Sequence, residues 1–353
     1  MKGNISHRCF KFGSYLVGLS MALFSFSSCD KDLEVGSTNN AVENFDMLWK
    51  VVDENYCFFE YKKDSIKDWD DVYREYLPIV KKCRTKTELF YVFADVLNEL
   101  KDGHVNLISS FDVSRYDIQG DHLDNYDSKI IRKDHYLGKN YKTAGGLKYK
   151  LLEEGIGYIA YTDFSNSFTD DNLDYVLKYF AYADGIIIDV RNNGGGYADL
   201  VDVFASRFAK KRTLVGYWQH KTGKGHSDLS EPDPHYLEPA DEDNISFYGK
   251  VALLTNRNCY SATNDFVQTM KALPNVMQFG DRTGGGAGMP MSSELPIGWS
   301  FRLSVSPYMD IHKKYTEFGI DPDVRVDMLD ADAAKGYDTI IEEARKWIKT
   351  KGN

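Results

Sequence analysis

The feature that most constrains this chain is a short apolar strand that ends in a charged, glycine-rich turn. Residues 185–190 (GIIIDV) are apolar and largely β-branched apart from Asp189, which is typical of a strand buried on both faces. A helical pattern follows at about 197–209. A second apolar strand at 251–255 (VALLT) precedes another helical pattern at about 262–273. Strands that alternate with helices predict an α/β core with right-handed crossovers.

The segment before this core has helical periodicity. Residues 41–101 carry three apolar stripes with a period of 3.6 residues, a pattern that more often marks a packed core than a ligand site. We predict a small helical subdomain at 41–105, a variable linker at 106–146 and the core domain at 147–349. Residues 218–248 are rich in Asp, Glu, Pro, Gly and His, which predicts a long surface loop or lid.

Composition excludes several classes of protein. The formal net charge of −10 argues against a nucleic-acid partner, which requires a basic face. The histidines show no H-E-x-x-H spacing, so no metal site is expected. Cys57, Cys83 and Cys259 are an odd number without metal-like spacing. A Cys57–Cys83 disulfide is possible in an oxidising compartment, but the sequence does not place the two in contact.

The N-terminus has the layout of a secretory signal. Residues 1–28 combine a basic start with a short apolar stretch and end in small residues directly before Cys29. This arrangement resembles a bacterial lipobox, in which Cys29 becomes a lipidated N-terminus and residues 29–40 form a tether. We therefore expect a lipid anchor in the bacterial cell envelope, with the outer membrane favoured and the protein facing the periplasm or the surface. A plain signal peptide or an uncleaved anchor are the alternatives.

Two turns follow the apolar strands and are candidates for chemistry. In Asp189-Val-Arg-Asn-Asn-Gly-Gly-Gly196, Gly194 and Gly195 allow close approach of a substrate and can aim backbone N–H groups at one point. The alternative is a glycine turn without a role. Ser261 lies in the second turn, where a helix N-terminus favours developing negative charge. The alternative there is that Ser261 only caps the helix.

Two further motifs supply groups that a nucleophilic serine needs. Leu100-Lys-Asp-Gly-His104 places a histidine after a predicted helix, and a serine hydroxyl requires such a base. Taken alone, His104 is more often structural. Glu317 precedes a glycine turn and could orient a histidine, although a solvated acid is the simpler interpretation.

Together, these motifs resemble one family. Residues 189–196, Tyr260-Ser261-Ala262, residues 280–285 (GDRTGG) and residues 319–323 (GIDPD) are similar to those of the tail-specific, or C-terminal processing, serine peptidases. Leu100–His104 is similar to the branch that contains the tricorn protease core and the retinoid-binding protein modules. The resemblance runs from about residue 41 to residue 349, and it implies a crotonase-like ββα-type peptidase core.

The resemblance also implies a site and a mechanism. Ser261 would be the nucleophile, His104 its general base and Glu317 the group that orients His104, with an oxyanion hole from the N–H groups of Ala262 and of Gly194 or Gly195. No cofactor is implied, and the partner would be a peptide or protein substrate. The lysine of the serine–lysine branch falls at Gly286 here, which excludes that base. The segment between His104 and residue 147 is too short and too polar for a PDZ domain.

Two other functions stay open. One is a non-catalytic module on the same fold that binds a ligand or a peptide. The other is a glycan-handling surface lipoprotein, which only the expected anchor and the aromatic content of 14% suggest.

Overall fold

The structure is a computed structural model that describes residues 40–118, 120 and 122–350. The expected signal segment and Cys29 lie outside the described residues, and of the tether only Asn40, which caps the first helix, is described. The helices of the described chain are α1 (Ala41–Asn55), α2 (Phe59–Lys62), α3 (Trp69–Val80), α4 (Lys86–Asn98), α5 (Ser128–Ile131), α6 (Asp170–Tyr179), α7 (Asp199–Ser206), α8 (Ala262–Lys271), α9 (Asp330–Ala333) and α10 (Thr339–Lys349). Its strands are β1 (Asn106–Ile108), β2 (Lys142–Ala144), β3 (Leu147–Leu152), β4 (Ile156–Ala160), β5 (Gly185–Asp189), β6 (Thr213–Trp218), β7 (Asp233–Leu237), β8 (Lys250–Thr255), β9 (Val276–Gly280), β10 (Gly288–Glu294), β11 (Ser300–Met309) and β12 (Val324–Arg325).

The larger sheet of the described chain has seven strands in the order β12-β9-β8-β5-β4-β3-β2. The five strands from β12 to β4 run parallel, and β3 and β2 continue the sheet in antiparallel pairing. The two apolar strands expected from the sequence are β5 and β8, which are neighbours, so the α/β core is confirmed. Because α7 and α8 follow these strands, the turns after both lie side by side at one edge of the sheet.

A second sheet lies over that edge. In the described residues it contains β1, β11, β6 and β7 in this order, and β10 pairs with β11. The predicted helical segment is confirmed as α1 to α4, but it does not close a core by itself. Its apolar stripes pack against residues from the far end of the chain, among them Leu295, Trp299, Phe301 and Leu303. Helices α1–α4 and strand β11 therefore share one core and together hold the loop that carries His104.

Two segments differ from their expectations. Residues 218–248, expected to be a loop or lid, contain β7, which pairs with β6. The expected linker at 106–146 contains β1, α5 and β2. Strands β2 and β7 pair with the neighbouring strands β3 and β6, whereas β1 pairs with β11, almost 200 residues later. Because both segments are largely polar, they lack the apolar pattern that would have predicted these strands. No PDZ domain is present in the described part of the chain, as expected.

Two properties bear on cellular context. None of the helices in the described ranges combines the length and the apolar character needed to cross a bilayer. Cys57 is buried and Cys83 half-buried, and no disulfide joins them or Cys259 within the described structure.

Candidate active site

Ser261 occupies a strained turn between β8 and α8. Its φ of 58° and ψ of −128° place it in a region that residues other than glycine rarely adopt. The turn is held by backbone hydrogen bonds, in which the Ser261 N–H donates to the Gly285 carbonyl at 2.9 Å and the Tyr260 N–H donates to the Asn193 carbonyl at 3.1 Å. Ser261 stands at the N-cap position, but its side chain makes no capping hydrogen bond. The hydroxyl is therefore available for another partner.

That partner is His104. The imidazole Nε2 lies 2.8 Å from Ser261 Oγ, although 157 positions separate the two residues. His104 is 5% exposed, and its ring packs against the Tyr260 ring at a centroid distance of 5.0 Å. Its backbone N–H donates to Asp102 Oδ1 at 2.8 Å, which fixes the loop. Its buried Nδ1 has no hydrogen-bond partner among the described residues. The Gly288 backbone nevertheless interacts with the imidazole and acts to raise its pKa, so packing against Tyr260, the loop fixed by Asp102 and the Gly288 backbone together orient the ring.

The surroundings of His104 keep its imidazole neutral. Burial lowers its pKa to about 4, against the opposing effect of the Asp102 carboxylate, and the positive charge of Arg302 adds to the lowering. A neutral imidazole presents a lone pair at Nε2 for the serine proton. His104 can therefore act as a base across the neutral range and well below it.

This shift predicts an unusual pH dependence. The basic form of His104 persists down to about pH 4. The rate of peptide hydrolysis should therefore decline only below about pH 4, and not below 6.5, the ordinary pKa of histidine. The measurement is kcat/KM between pH 3.5 and 8, with circular dichroism at each pH as the control for unfolding. An acid limb between pH 6 and 7 in a folded protein would contradict the proposed environment of His104.

Glu317 makes no hydrogen bond to His104 among the described residues, which corrects the expectation that it orients this ring directly. Its Oε1 accepts a hydrogen bond from Lys62 Nζ at 2.8 Å, and its Oε2 accepts one from the Ala287 N–H at 3.0 Å. Lys62 is 1% exposed, and a buried ammonium requires a nearby carboxylate. The ion pair with Lys62 therefore fixes where the Glu317 side chain lies.

Lys62 links Glu317 to the histidine loop. Its Nζ also lies 3.8 Å from Asp102 Oδ2, which accepts hydrogen bonds from the hydroxyls of Tyr56 at 2.9 Å and Ser304 at 3.0 Å. Burial and the Asp102 charge raise the pKa of Glu317 to about 8, despite the opposing effect of Lys62. Burial also acts to raise the pKa of Asp102, but Lys62 and His104 outweigh it, so this pKa lies below its usual value. Sequence reasoning missed Lys62 and Asp102. The position of Asp102 two residues before His104 could have indicated that it holds the histidine loop. Nothing in the sequence around Lys62 indicated its position in the site.

The glycine-rich turn after β5 is held by a buried guanidinium. Arg191 is fully buried and pairs with Asp189 at 2.7 Å and with Asp338 at 2.9 Å. Asn193 continues this bracing, since its side-chain amide donates to the Tyr161 carbonyl at 2.9 Å. The charged residues before the glycines therefore have a structural role, and they fix the turn against the Ser261 turn.

The structure distinguishes the expected oxyanion donors. The Gly195 N–H donates to Asn193 Oδ1 at 3.0 Å, so it is already engaged. The N–H groups of Gly194 and Ala262 have no acceptor among the described residues. Gly194 also lines a cavity beside Ser261, while Ala262 follows the serine in the chain. Gly194 and Ala262 are therefore the pair that the geometry leaves open to a substrate oxygen.

The two adjacent glycines provide a matched pair of substitutions. A Cβ at Gly195, whose φ is +99°, would lie 2.7 Å from the Tyr260 carbonyl oxygen and 2.8 Å from Ser261 Cβ, whereas a Cβ at Gly194 would meet nothing within 4 Å. Gly195→Ala should therefore displace the Ser261 turn and lower kcat by about 100-fold or more. Gly194→Ala, which keeps its N–H, should retain most activity. Equal kcat values for the two variants would contradict this account.

Gly286, the position at which the other branch carries lysine, has no room for a side chain. A Cβ there would lie 2.4–2.7 Å from atoms of the Tyr260 ring. Tyr260 fills that space and packs on His104 instead. The Tyr260 ring thus occupies the space that a lysine side chain at position 286 would need. This agrees with the expectation that no lysine base acts from that position.

Two cavities lie beside Ser261, and both have His104 and Arg302 in their lining. One, of about 570 Å³, is also lined by Asp199 and Asp265, and we call it the acidic cavity. The other, of about 460 Å³, is also lined by Arg115 and, among the described residues, by no carboxylate, and we call it the arginine cavity. Within the part of the chain that the structure describes, Asp265 Oδ1 is buried without a hydrogen-bond partner, and burial together with the charge of Asp202 raises the pKa of Asp265 to about 8. The sequence analysis identified neither cavity.

The site has the parts of a covalent hydrolase. A serine at a strained strand-to-helix turn, a buried neutral histidine at its hydroxyl and open N–H groups beside it define the class of serine hydrolases. Among the residues that the structure describes, no group of three or more His, Cys, Asp or Glu side chains could hold a metal ion.

Comparison with known proteins defines the family. Residues 155–326 match the model of peptidase family S41, and residues 38–98 match the tricorn protease C1 domain. A crystal structure from Parabacteroides merdae ATCC 43184, named provisionally as a peptidase, is 49% identical, with a TM-score of 0.82 over 89% of this chain and 98% of that one. The chain therefore belongs to peptidase family S41, a family of serine-type peptidases, as the motifs predicted.

One more distant relative and one solved structure extend the comparison. A CtpA-like serine protease of Staphylococcus aureus (strain N315) is 28% identical over 211 residues, which are 57% of this chain and 38% of that protein. This chain thus spans well under half of the length of that relative. Mature CPAF, at 12% identity, shares the fold with a TM-score of 0.66 over 88% of this chain and 97% of that one.

Proposed function

We propose that this chain is a serine endopeptidase that hydrolyses peptide bonds through an acyl-enzyme intermediate. The observation that carries the proposal is the 2.8 Å contact between Ser261 Oγ and His104 Nε2 at a strained turn. The S41 family assignment supports the same chemistry. The substrate is a peptide or protein.

In the proposed mechanism, His104 Nε2 takes the hydroxyl proton as Ser261 Oγ attacks the scissile carbonyl carbon. The carbonyl oxygen becomes an oxyanion, which the N–H groups of Ala262 and Gly194 stabilise. His104 then gives its proton to the leaving amine, and the C–N bond breaks. Water, deprotonated by His104, attacks the acyl ester and releases the new carboxyl terminus along with the free hydroxyl of Ser261.

The carboxylates of the site act on His104 from a distance in this proposal. Asp102 accepts the His104 backbone N–H and contributes a negative charge that favours the imidazolium. Glu317 and Lys62 hold Asp102 in place, since Lys62 Nζ lies within 4 Å of both carboxylates. Glu317 is thus a positioning residue that acts on His104 through Lys62 and Asp102, and not by direct contact as the sequence implied.

The experiment combines a covalent probe with a peptide library. A serine-reactive fluorophosphonate should label the full chain at Ser261, and the library should reveal internal cleavage. Labelling without cleavage of any peptide would favour a different acyl substrate. The absence of both would favour the alternative of a binding module on the peptidase fold, and binding to polysaccharide arrays without peptidase activity would favour the glycan-handling alternative.

We also propose that Cys29 is a lipidated N-terminus that anchors the protein in the bacterial cell envelope. Two or three acyl chains hold a protein firmly on a membrane, whereas one binds marginally. Metabolic labelling with a fatty-acid analogue should therefore mark the wild type but not Cys29→Ser, and Cys83→Ser serves as the matched control that keeps the label. Equal labelling of the wild type and Cys29→Ser would contradict the anchor.

A further inference from the structure

The arginine cavity differs in charge from the chain as a whole. Acidic residues outnumber basic ones, 53 to 43, yet the described residues that line this cavity include two guanidinium groups and no carboxylate. Within the described residues, neither Arg115 nor Arg302 has an ion pair or a side-chain hydrogen bond. Other arginines of the chain, such as Arg191, are paired with carboxylates. Two unpaired guanidinium groups in a cavity beside a nucleophile are placed to bind an anion.

Strand geometry fixes Arg302 in that position. Side chains alternate between the two faces of β11, so Phe301 and Leu303 are buried in the core shared with α1–α4. Arg302 and Ser304 therefore point to the opposite face, where the Ser304 hydroxyl donates to Asp102. Asn106 of β1 pairs with Arg302 across the sheet and lines the same cavity. The guanidinium thus comes from a rigid strand and faces the reacting groups.

The same cavity contains the reaction centre. Ser261, His104 and Gly194 belong to its lining together with the two arginines. After burial and Asp102, the charge of Arg302 has the next largest effect on the pKa of His104, which it lowers. A bare guanidinium therefore opposes formation of the imidazolium during the reaction. An anion bound to Arg302 would reduce this opposition.

We propose that the arginine cavity is a subsite for a carboxylate of the peptide substrate, with Arg302 as its main ligand and Arg115 as the second. The inference rests on the proposed peptidase function and adds a substrate preference to it. A guanidinium matches a carboxylate with two parallel hydrogen bonds. The carboxylate belongs either to an Asp or Glu side chain near the scissile bond or to the C-terminus of the substrate.

The acidic cavity is the less favourable place for this carboxylate. It shares Arg302 with the arginine cavity, but Asp199 lines it as well, and a carboxylate bound there would meet this like charge. The arginine cavity offers both Arg302 and Arg115 to an anion. A peptide that spans Ser261 therefore places its carboxylate in the arginine cavity, since the other placement would leave Arg115 without an anionic partner.

The test uses three forms of one peptide that the wild-type protein cleaves. The first has Glu near the scissile bond, the second has Gln there, and the third has Gln with an amidated C-terminus. Each is measured with wild type, Arg302→Gln, Arg115→Gln and the control Arg84→Gln, an exposed arginine on the turn before α4. A parallel arm measures binding of the same peptides to Ser261→Ala and Ser261→Ala/Arg302→Gln by fluorescence anisotropy, which requires no turnover.

We expect kcat/KM to fall by about 10- to 100-fold when the contacted carboxylate is removed from the peptide, as suits a charge-assisted hydrogen bond. A fall from the first peptide to the second identifies a side chain, and a fall from the second to the third identifies the C-terminus. Arg302→Gln should abolish the preference, so that the peptides with and without the carboxylate are cleaved with the same kcat/KM, whereas Arg84→Gln should keep both the preference and the basal rate within about 3-fold of wild type. An equal response of all three peptides in both arms, or a preference that survives in Arg302→Gln, would overturn the inference. If no peptide is cleaved, the proposed function fails, and the binding arm still decides the subsite.

Discussion

Replacing Ser261 by alanine is expected to lower kcat for peptide hydrolysis by about 10⁴- to 10⁶-fold, and His104→Ala should have an effect of similar size. The reason is that Oγ forms the covalent bond and Nε2, 2.8 Å away, carries its proton. The two effects should not add, because either loss disables the same step. The measurement is single-turnover hydrolysis of a peptide ester, with fluorophosphonate labelling as the second readout.

Control variants separate this mechanism from its alternatives. Lys313→Ala/Lys314→Ala removes two lysines outside the site and should leave both readouts unchanged. Glu317→Gln should reduce turnover less than His104→Ala, because it weakens the contact with Lys62 and leaves nucleophile and base in place. An active His104→Ala variant together with an inactive lysine variant would contradict the assignment of the base.

Lys62→Met is expected to lower the free energy of unfolding by about 3–5 kcal/mol, the usual cost of leaving buried carboxylates without their cation. Lys62 is 1% exposed, and its ammonium lies within 4 Å of both Asp102 and Glu317. Lys63→Met is the matched control, since this neighbouring side chain is 66% exposed and should change stability by less than about 0.5 kcal/mol. Urea unfolding followed by tryptophan fluorescence measures both variants.

The same network predicts the direction of the pH dependence. The pKa of Glu317 rises from 4.5 to about 8 in the folded state, so its contribution to stability is present below about pH 4.5 and is lost as the pH rises through about 8. Without Lys62 this loss should be larger, and Lys62→Met should be more destabilised at pH 9 than at pH 6. Lys62→Met/Glu317→Gln should recover part of the stability, which provides a measurable variant if the single one does not fold. If Lys62→Met loses the same free energy of unfolding at pH 6 and at pH 9, the cause would be lost packing and not an uncompensated charge.

The lipid anchor and the domain boundaries at 105 and 147 stay predictions. For the boundaries, helices α1–α4 share their core with β11, so the helical segment depends on a strand about 200 residues later in the chain. Expression of residues 41–105 alone should therefore give a poorly folded product. Co-expression with the rest of the chain would test whether the two parts associate.

Local patterns of the sequence determined the framework of this protein. The runs at 185–190 and 251–255 specify buried strands because β-branched side chains suit a sheet covered on both faces, and the stripes at 41–101 specify helices because their spacing matches 3.6 residues per turn. The motif set also selected Ser261 and His104 as candidates, because each lies at the end of an element that local signals define, and the structure places His104 Nε2 2.8 Å from Ser261 Oγ.

Tertiary structure alone decided the partners. The sequence assigned Glu317 to His104, but the buried Lys62 holds the Glu317 carboxylate, because a charge removed from water requires the opposite charge next to it. The sequence could not distinguish Gly194 from Gly195 as the oxyanion donor, but in the structure the Gly195 N–H already donates to Asn193 Oδ1. The unpaired Arg302 beside Ser261 follows from the register of β11, which pairs residues almost 200 positions apart. Such contacts depend on how distant strands and helices pack, and a local pattern of side chains does not predict that packing.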